Sequence, residues 1–348
     1  MQRYIGMDVH AKSCSFGIID QKNKRVGQAV VETNGAALIE YIKTIPGQKN
    51  VCMEEGTQSS WLYEILSPLV DEFVVTRVEK KSKGNKDDIS DAFGLAQRLR
   101  IGDVLPVYKQ KGLFSELRAQ SELYSKVTSD SVRVQCRLKA LFRSRGVSTT
   151  SSQLFNPEQR EQWVKKLPWA YQRAAQLMYQ QYDAVEETKQ QAQQILKKES
   201  HKHPISYILQ TAPGMGAIRV AQLMSIVVTP YRFRTSRQLW AYSGLAIVMR
   251  SSSDWTRTAN GWQRVNLEKT RGLNRDYNRT LKYIFKGAAT TVIQNRMQPL
   301  YDDYEKQLQQ GTKPPLAKLT LARRIAATVL AMWKSKEEYD PDKYRTKR

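Results

Sequence analysis

The amino-acid sequence predicts an α/β domain at the N-terminus, followed by a mostly α-helical remainder. Two patterns support this prediction. The N-terminal part alternates short apolar runs with helical patterns, whereas residues 112–200 lack strand patterns and are rich in Gln, Lys, Arg and Glu. With 348 residues, 41% hydrophobic and 26% charged, the chain is long enough for two or three domains with ordinary cores.

The N-terminal elements follow a recognisable order. In sequence they are strands at 3–9, 13–20 and 25–32, a helix at 36–45, a strand at 50–55, a helix at 59–70, a strand at 72–78 and a helix within 85–99. Three sequential strands followed by alternating helices and strands are the order of the ribonuclease H-like fold. We therefore expect a ribonuclease H-like domain over residues 1–111, with its first and fourth strands side by side.

The remainder divides into three predicted segments. Residues 112–203 form a helical arm with a weak heptad, whose positions are Met178, Tyr182, Val185, Lys189, Ala192 and Leu196. Lys189 places a charge among these heptad positions. Two structures therefore remain possible for the arm, a helical hairpin within one chain and a dimeric coiled coil. Residues 204–336 form a mostly helical unit with a helix-hairpin-helix-like turn, PGMG at 213–216, and 337–348 form a basic tail.

The charge balance indicates the class of partner. Lys and Arg number 56 against 33 Asp and Glu, for a net charge of +23, and such an excess is typical of proteins that bind nucleic acid. No apolar run reaches the ~18 residues of a membrane span, and no signal-peptide pattern begins the chain. The isolated Cys14, Cys52 and Cys136 argue against a disulfide framework or a cysteine zinc site. We expect a cytoplasmic protein with no membrane partner.

Acidic residues cluster in spite of this basic balance. Asp8 lies in an otherwise apolar strand, where an ionised carboxylate is costly to bury unless a cation compensates it. One of Glu54 and Glu55 can face it from the fourth strand, and Asp88 and Asp91 share a helix face. The pattern predicts a site for Mg²⁺ or Mn²⁺. Helix capping is the structural alternative for the aspartates, and Asp87 competes with Asp88 for the metal role.

Such a site suits phosphodiester chemistry. Two hard cations about 3.5–4 Å apart can stabilise both the attacking and the leaving oxygen of a phosphodiester displacement. Histidine is scarce: His10 can lie near Asp8, while His201 and His203 lie in a polar linker. We therefore do not expect histidine-based catalysis.

The C-terminal unit carries a basic, aromatic-rich stretch over 231–286. Arginine neutralises phosphates and aromatic rings stack on unpaired bases. The arginines predicted to contact phosphates are Arg250, Arg257, Arg264, Arg271 and Arg275. The aromatic residues of this stretch are Tyr231, Trp240, Tyr242, Trp255, Trp262 and Tyr277. Of these, Trp240 is expected in the core. Gly214 and Gly216 can bring backbone N–H groups to a phosphate, although a plain turn is the alternative. RSSSDW at 250–255 is either an activated serine between arginines or a polar loop.

Taken together, the chain resembles the DEDD transposases of bacterial insertion sequences, the group that includes the Piv invertase. The motifs that carry the resemblance are YIGMDVHAK, CMEEGT, NKDDISDA, TAPGMG, LWAYSGL, RSSSDW, RGLNRDYNRTLKYIFKGAA and LTLARRIAATVLAMWK. The resemblance implies a RuvC-like domain whose Asp8, Glu54, Asp88 and Asp91 bind Mg²⁺ or Mn²⁺. It also implies a C-terminal transposase domain with a nucleophilic serine at Ser252, with Ser251 and Ser253 left open.

The resemblance further implies an RNA-guided DNA recombinase. A structured bridge or seeker RNA would pair with donor and target DNA, and strands would be exchanged through a phosphoserine without ATP. The basic arm residues that suit such an RNA are Arg133, Arg137, Lys139, Arg143 and Arg145. A nucleoid-associated homo-oligomer, from dimer to tetramer, is implied, and whether protomers share the site stays open. A RuvC-like junction nuclease using water and a non-catalytic nucleic-acid-binding repressor are the alternatives.

Overall fold

The structure is a computed structural model that describes residues 1–78, 87–109, 112, 114–248, 255–259, 261–264, 272–274 and 276–345. It contains two compact units, Met1–Gly112 and Leu113–Arg348. Among the described residues, no helix combines the length and the apolar character that a membrane crossing requires.

The first unit is built on a five-stranded mixed sheet. Its strands are β1 (Gln2–Val9), β2 (Ser13–Asp20), β3 (Arg25–Glu32), β4 (Gln48–Glu54) and β5 (Glu72–Thr76), in the spatial order β3-β2-β1-β4-β5. The pairs β1–β2 and β2–β3 are antiparallel, whereas β1–β4 and β4–β5 are parallel. The expected adjacency of the first and fourth strands is confirmed, with Met7 opposite Met53.

Helices cover both faces of this sheet. Helices α1 (Gly35–Thr44) and α2 (Ser59–Leu66) pack on the face that carries Ile5 and Met7. Helix α3 (Asp88–Ile101) packs on the opposite face, where Leu95 and Leu99 meet Cys52. Because side chains alternate along a strand, the even-numbered residues of β1 and β4 point toward α3.

Two glycines let α3 lie very close to the sheet. A Cβ atom on Gly6 would lie 1.8 Å from the Ala92 carbonyl oxygen, and one on Gly17 would lie 2.7 Å from the Phe93 nitrogen. Any side chain at these positions would therefore push the helix backbone away from β1 and β2. The first turn of α3, which contains Asp88 and Asp91, is held at the carboxyl end of β1 by this close packing.

The second unit is mostly helical. Its helices are α4 (Ser115–Arg143), α5 (Ser151–Leu154), α6 (Arg160–Lys165), α7 (Trp169–His201), α8 (Pro204–Gln210), α9 (Ala217–Val227), α10 (Ser236–Tyr242), α11 (Arg279–Gln294), α12 (Leu300–Gln309), α13 (Pro314–Ser335) and α14 (Pro341–Arg345). Within the described residues, four short strands follow α10: β6 (Ile247–Val248), β7 (Trp255–Thr258), β8 (Gly261–Arg264) and β9 (Gly272–Leu273). Strand β6 pairs with β9 and β7 pairs with β8, both antiparallel.

The predicted arm is a pair of long helices, α4 and α7, packed against each other within one chain. Leu138 and Phe142 of α4 share a buried cluster with Ala175 and Tyr179 of α7. Lys189, the charged residue in the heptad, forms an ion pair with Glu186 at 3.0 Å. Within the chain this segment is an intramolecular hairpin.

The base of this hairpin belongs to the same core as the C-terminal helices. Leu117 and Leu196 are buried together with Val220 of α9, Phe285 of α11 and Ile325 of α13. The predicted tail also contacts this unit, because the Tyr339 backbone N–H donates to the Thr211 hydroxyl at 2.9 Å. Over 337–348 four acidic residues precede four basic ones, so this segment carries no net charge and is not the basic tail that was predicted.

The cysteines provide a test of this packing. Cys14 and Cys52 are buried, whereas Cys136 is exposed on α4. Burial raises the pKa of Cys52 to about 12 and also raises that of Cys14, so both thiols stay protonated near neutral pH. We expect a thiol-reactive disulfide reagent at about pH 8 to modify only Cys136 in the native protein and all three thiols after unfolding. Rapid native modification of Cys52 would contradict the placement of β4.

Candidate functional site

Two carboxylates lie at the ends of adjacent parallel strands. Asp8 and Glu54 each follow directly after the paired residues Met7 and Met53. Asp8 shares the strand face of Gly6, and Glu54 shares that of Cys52, so both are on the face that α3 covers. The sheet therefore positions these two side chains at one edge of the α3 interface.

Helix α3 adds a third carboxylate, and a histidine joins it to the first. The Nε2 atom of His10 lies 3.2 Å from Oδ2 of Asp8 and 3.3 Å from Oδ1 of Asp88. One potential ligand atom from each of these residues lies within 4.8 Å of the other two. The Asp8 side chain is 20% exposed, and those of His10 and Asp88 are 51% and 54% exposed. The cluster is thus open to a ligand from solvent.

The neighbouring aspartates have different partners. Oδ2 of Asp87 accepts hydrogen bonds from the Ser90 hydroxyl at 2.7 Å and the Ser90 backbone N–H at 3.2 Å, which caps α3. The Ser90 hydroxyl, as the main contributor, holds the pKa of Asp87 below its usual value. Asp91 is half-buried and lies three residues after Asp88, on the same face of the helix. The capping role therefore falls to Asp87, and Asp88 contacts His10.

The neighbouring glutamates also differ. Oε1 of Glu55 accepts from Nζ of Lys109 at 2.9 Å and from the Ser59 hydroxyl at 3.1 Å. Lys109 is only 9% exposed and also donates to the hydroxyls of Ser59 and Ser60, at 3.0 and 3.2 Å. Glu55 is thus engaged on the α2 side of the sheet, while Glu54 belongs to the α3 side. No sequence pattern indicated Lys109, since it lies 54 residues from its partner.

One cleft of about 230 Å³ is lined by Asp8, His10, Glu54 and Glu55, whereas neither Asp88 nor Asp91 belongs to its lining. Carboxylate oxygens are the ligands that Mg²⁺ and Mn²⁺ prefer, and an imidazole nitrogen is compatible with a transition metal such as Mn²⁺. The donor set therefore fits a divalent cation. His10, which the sequence placed near Asp8 without a role, is a member of this set.

The predicted residues of the second unit are only partly described. Ser252, its neighbours Ser251 and Ser253, and Arg250, Arg271 and Arg275 lie outside the described residues. Arg264 ends strand β8, opposite Trp255. Arg257 is exposed and pairs with Trp262, and since directly paired residues share a sheet face, Trp255, Arg257 and Trp262 lie on one face of the β7–β8 ribbon.

Most of the remaining residues that were predicted to bind nucleic acid are accessible to solvent. Arg133, Arg137 and Arg143 are exposed on α4; Arg133 forms an ion pair with Asp130 at 2.7 Å. Lys139 is half-buried, with its ammonium 5.6 Å from the Phe155 ring centre. Trp240, expected in the core, packs against it and donates its indole N–H to the Arg323 carbonyl at 2.9 Å.

The two glycines of the PGMG turn have different environments. Gly214 has φ of +76°, and a Cβ atom there would lie 2.5 Å from the Ala288 carbonyl oxygen of α11. Gly216 precedes the first residue of α9 and has open space around its Cα. Packing accounts for the glycine at 214, and only Gly216 leaves room for a ligand.

Two family models match the chain. A model of the DEDD transposases of IS110 matches residues 5–145, and one described as Transposase IS116/IS110/IS902 family matches residues 206–305. The chain belongs to the IS110 family of transposases. The first match contains all four predicted carboxylates, and the second contains Gly216 and Ser252.

This IS110-family chain is also similar to a protein of Streptomyces clavuligerus. The insertion element IS116 uncharacterized 44.8 kDa protein of Streptomyces clavuligerus is 31% identical over 134 residues. The aligned segment is 38% of this chain and 30% of that protein, so it spans less than a third of the relative's length.

Proposed function

We propose that the protein is a DNA transposase that cuts and rejoins DNA strands at a RuvC-like metal centre formed by Asp8, Glu54, Asp88 and Asp91. The observation that carries this proposal is the convergence of Asp8 and Asp88 around His10 in a member of a transposase family. The strand order β3-β2-β1-β4-β5, with three antiparallel strands followed by parallel ones, also supports a ribonuclease H-like domain.

The chain's own residues prepare this centre for a phosphate. A divalent cation held by these oxygens would neutralise negative charge on the scissile phosphodiester. The Nε2 atom of His10 lies close to both Asp8 and Asp88, so it would join these two carboxylates as a ligand when a cation is held there. Asp8 is more buried than Asp88, which leaves Asp88 on the side open to substrate.

The proposed strand transfer uses the serine at 252, with 251 and 253 as open alternatives. The Ser252 hydroxyl oxygen attacks the phosphorus and gives up its proton, the bond to one deoxyribose oxygen breaks, and that oxygen takes up a proton and leaves as a free hydroxyl. Attack of a hydroxyl from the other DNA on the phosphoserine then rejoins the strands and releases the serine. The ester bond conserves the energy of the original linkage, so the reaction needs no nucleotide cofactor.

A structured guide RNA is proposed as the source of target choice, with the protein contacting its backbone. The exposed Arg133, Arg137 and Arg143 on α4 support this part of the proposal. Because two DNA molecules must be held together, a dimer or tetramer is proposed as the active form.

The test of the function is a strand-cleavage assay. The protein is mixed with Mg²⁺, labelled donor and target DNA and RNA transcribed from the flanks of its element, and products are separated under denaturing conditions. We expect a protein–DNA adduct in the wild type and none with Ser252→Ala. An adduct lost only with Ser251→Ala or Ser253→Ala would move the nucleophile by one residue. Metal-dependent cleavage with no adduct in any variant would instead support the water-using nuclease, and binding without cleavage would support the repressor.

The paired glutamates give a second, sharper test of the metal centre. We expect Glu54→Gln to weaken Mn²⁺ binding, because it removes a charged ligand from the α3 side of the sheet. We expect Glu55→Gln instead to lower the free energy of unfolding by about 1.5–3 kcal/mol, because it leaves the buried Lys109 without its carboxylate. Mn²⁺ titration followed by electron paramagnetic resonance, together with denaturant unfolding, measures both quantities. The reverse pattern, with metal binding lost only in Glu55→Gln, would assign the ligand to Glu55.

A further inference from the structure

A cavity of about 700 Å³ lies in the second unit, where α4, α7, α9 and α11 meet. Its lining includes the basic residues Lys197, Arg219 and Arg279 and contains no aspartate or glutamate. Because the three cations come from three helices, the basic character belongs to the cavity and not to one helix surface.

The backbone adds to this positive potential. Helix α9 begins at the cavity with Gly216 as its N-cap, without a side-chain capping hydrogen bond and without an acidic residue in its first turn. Helix α11 begins there too, with Arg279 and Thr280, and has no acidic residue in its first turn, although the Asn278 side chain caps it by accepting from the Leu281 backbone N–H at 3.0 Å. Two positive helix ends therefore open into one cavity.

The polar groups that line the cavity differ in their hydrogen-bond and ion-pair partners within the described residues. Arg219 already donates to the Gly214 carbonyl at 2.6 Å and to the Thr291 hydroxyl at 3.0 Å. Among the described residues, Lys197 and Arg279 form no ion pair. The Thr128 hydroxyl oxygen is buried in the lining and has no hydrogen-bond partner within the described part of the chain.

We propose that this cavity binds a backbone phosphate of duplex DNA. The available groups are an ammonium, a guanidinium, a hydroxyl and the backbone N–H groups of a helix N-terminus, and all of these donate to phosphate oxygens. Such contacts fix the position of DNA without reading its sequence. The choice of DNA rests on the proposed transposase function, while the anion preference rests on the lining alone.

The test compares a cavity variant with a neighbouring control. Lys197→Gln combined with Arg279→Gln removes two lining charges, and Lys198→Gln removes an exposed charge from the adjacent position of α7. Binding of a labelled DNA duplex is followed by fluorescence anisotropy over a range of salt concentrations, with EDTA present so that no metal-dependent step contributes. Circular dichroism and thermal unfolding verify that each variant folds.

We expect the double variant to bind duplex DNA about tenfold more weakly. The slope of log affinity against log salt should fall by about 0.9 for the phosphate contact that is lost. Thr128→Val, which removes only the unpartnered hydroxyl, should weaken binding in the same direction, and Lys198→Gln should leave it nearly unchanged. Equal affinity and slope in the double variant and Lys198→Gln would overturn the proposal.

Two further binding measurements identify the ligand. If the double variant loses binding to structured RNA but keeps duplex affinity, the DNA assignment is wrong. If inorganic phosphate stabilises the wild type thermally without competing with DNA, the site is for a free anion and the proposal is again wrong. Binding is measured without metal, so weaker duplex binding by the double variant can be detected even if the protein does not cleave DNA. Failure of this proposal can therefore be distinguished from failure of the proposed catalysis.

Discussion

Replacement of Asp8 by Asn is expected to lower metal-dependent strand cleavage by about 1000-fold or more. Asn has nearly the same shape but no charge, so it weakens cation binding while the strand can still form. A bound cation contributes several kcal/mol to phosphodiester displacement, and each 1.4 kcal/mol corresponds to about tenfold in rate. Asp8 is the least exposed member of its cluster with His10 and Asp88, so solvent cannot readily replace its charge.

Glu64→Gln is the matched control for Asp8→Asn. Glu64 is exposed on α2 in the same unit, so its variant removes the same charge without touching the cluster. Initial cleavage rates and Mn²⁺ affinity are measured for both variants. If Asp8→Asn retained cleavage within about tenfold of the Glu64→Gln rate, the metal centre would lie elsewhere.

Replacement of Gly6 by Ala is expected to destabilise the first unit by about 3 kcal/mol. The added Cβ atom would lie 1.8 Å from the Ala92 carbonyl oxygen and 2.6 Å from the Ala96 nitrogen. Both atoms are backbone, so no rotation of a side chain relieves the contact, and α3 must shift away from β1. Since α3 carries Asp88 and Asp91, we expect cleavage activity to fall as well.

Gly94→Ala is the control for the change at Gly6. Gly94 lies in α3 itself, and a Cβ atom there would meet nothing within 4 Å. Alanine in a helix interior is favoured over glycine, so this variant should be more stable by about 0.5–1 kcal/mol. Hydrogen exchange of the β1 and β4 amides reports on this unit alone. Similar exchange in the two variants would contradict the close packing of α3.

The sequence predicted the first unit well because its signals are local. Alternating apolar residues indicate each strand, and the order of strands and helices implies that β1 and β4 are neighbours. That adjacency places Asp8 and Glu54 at neighbouring strand ends, while the approach of Asp88 to Asp8 depends on how α3 packs on the sheet. The choice between Glu54 and Glu55 does not follow, because it depends on which helix packs on which face of β4.

Other features depend on contacts between distant residues. The ion pair of Lys109 with Glu55 and the burial of Thr128 in a cavity have no local pattern. The helical arm likewise could not be predicted from a local pattern alone. The heptad in α7 indicates an apolar stripe, but a helix of the same chain or of another chain can pack against that stripe equally well. Only the tertiary structure shows that α4 covers it.

The close approach permitted by Gly6 and Gly17 has a consequence for recognising related enzymes. A protein can retain aspartates at positions equivalent to 8, 88 and 91 and still fail to assemble them, if a larger residue at either glycine position holds the helix off the sheet. Two residues without any functional group are therefore as necessary to the proposed centre as the acids themselves. Inactive descendants of such elements can be sought among sequences that keep every acid and have lost a glycine.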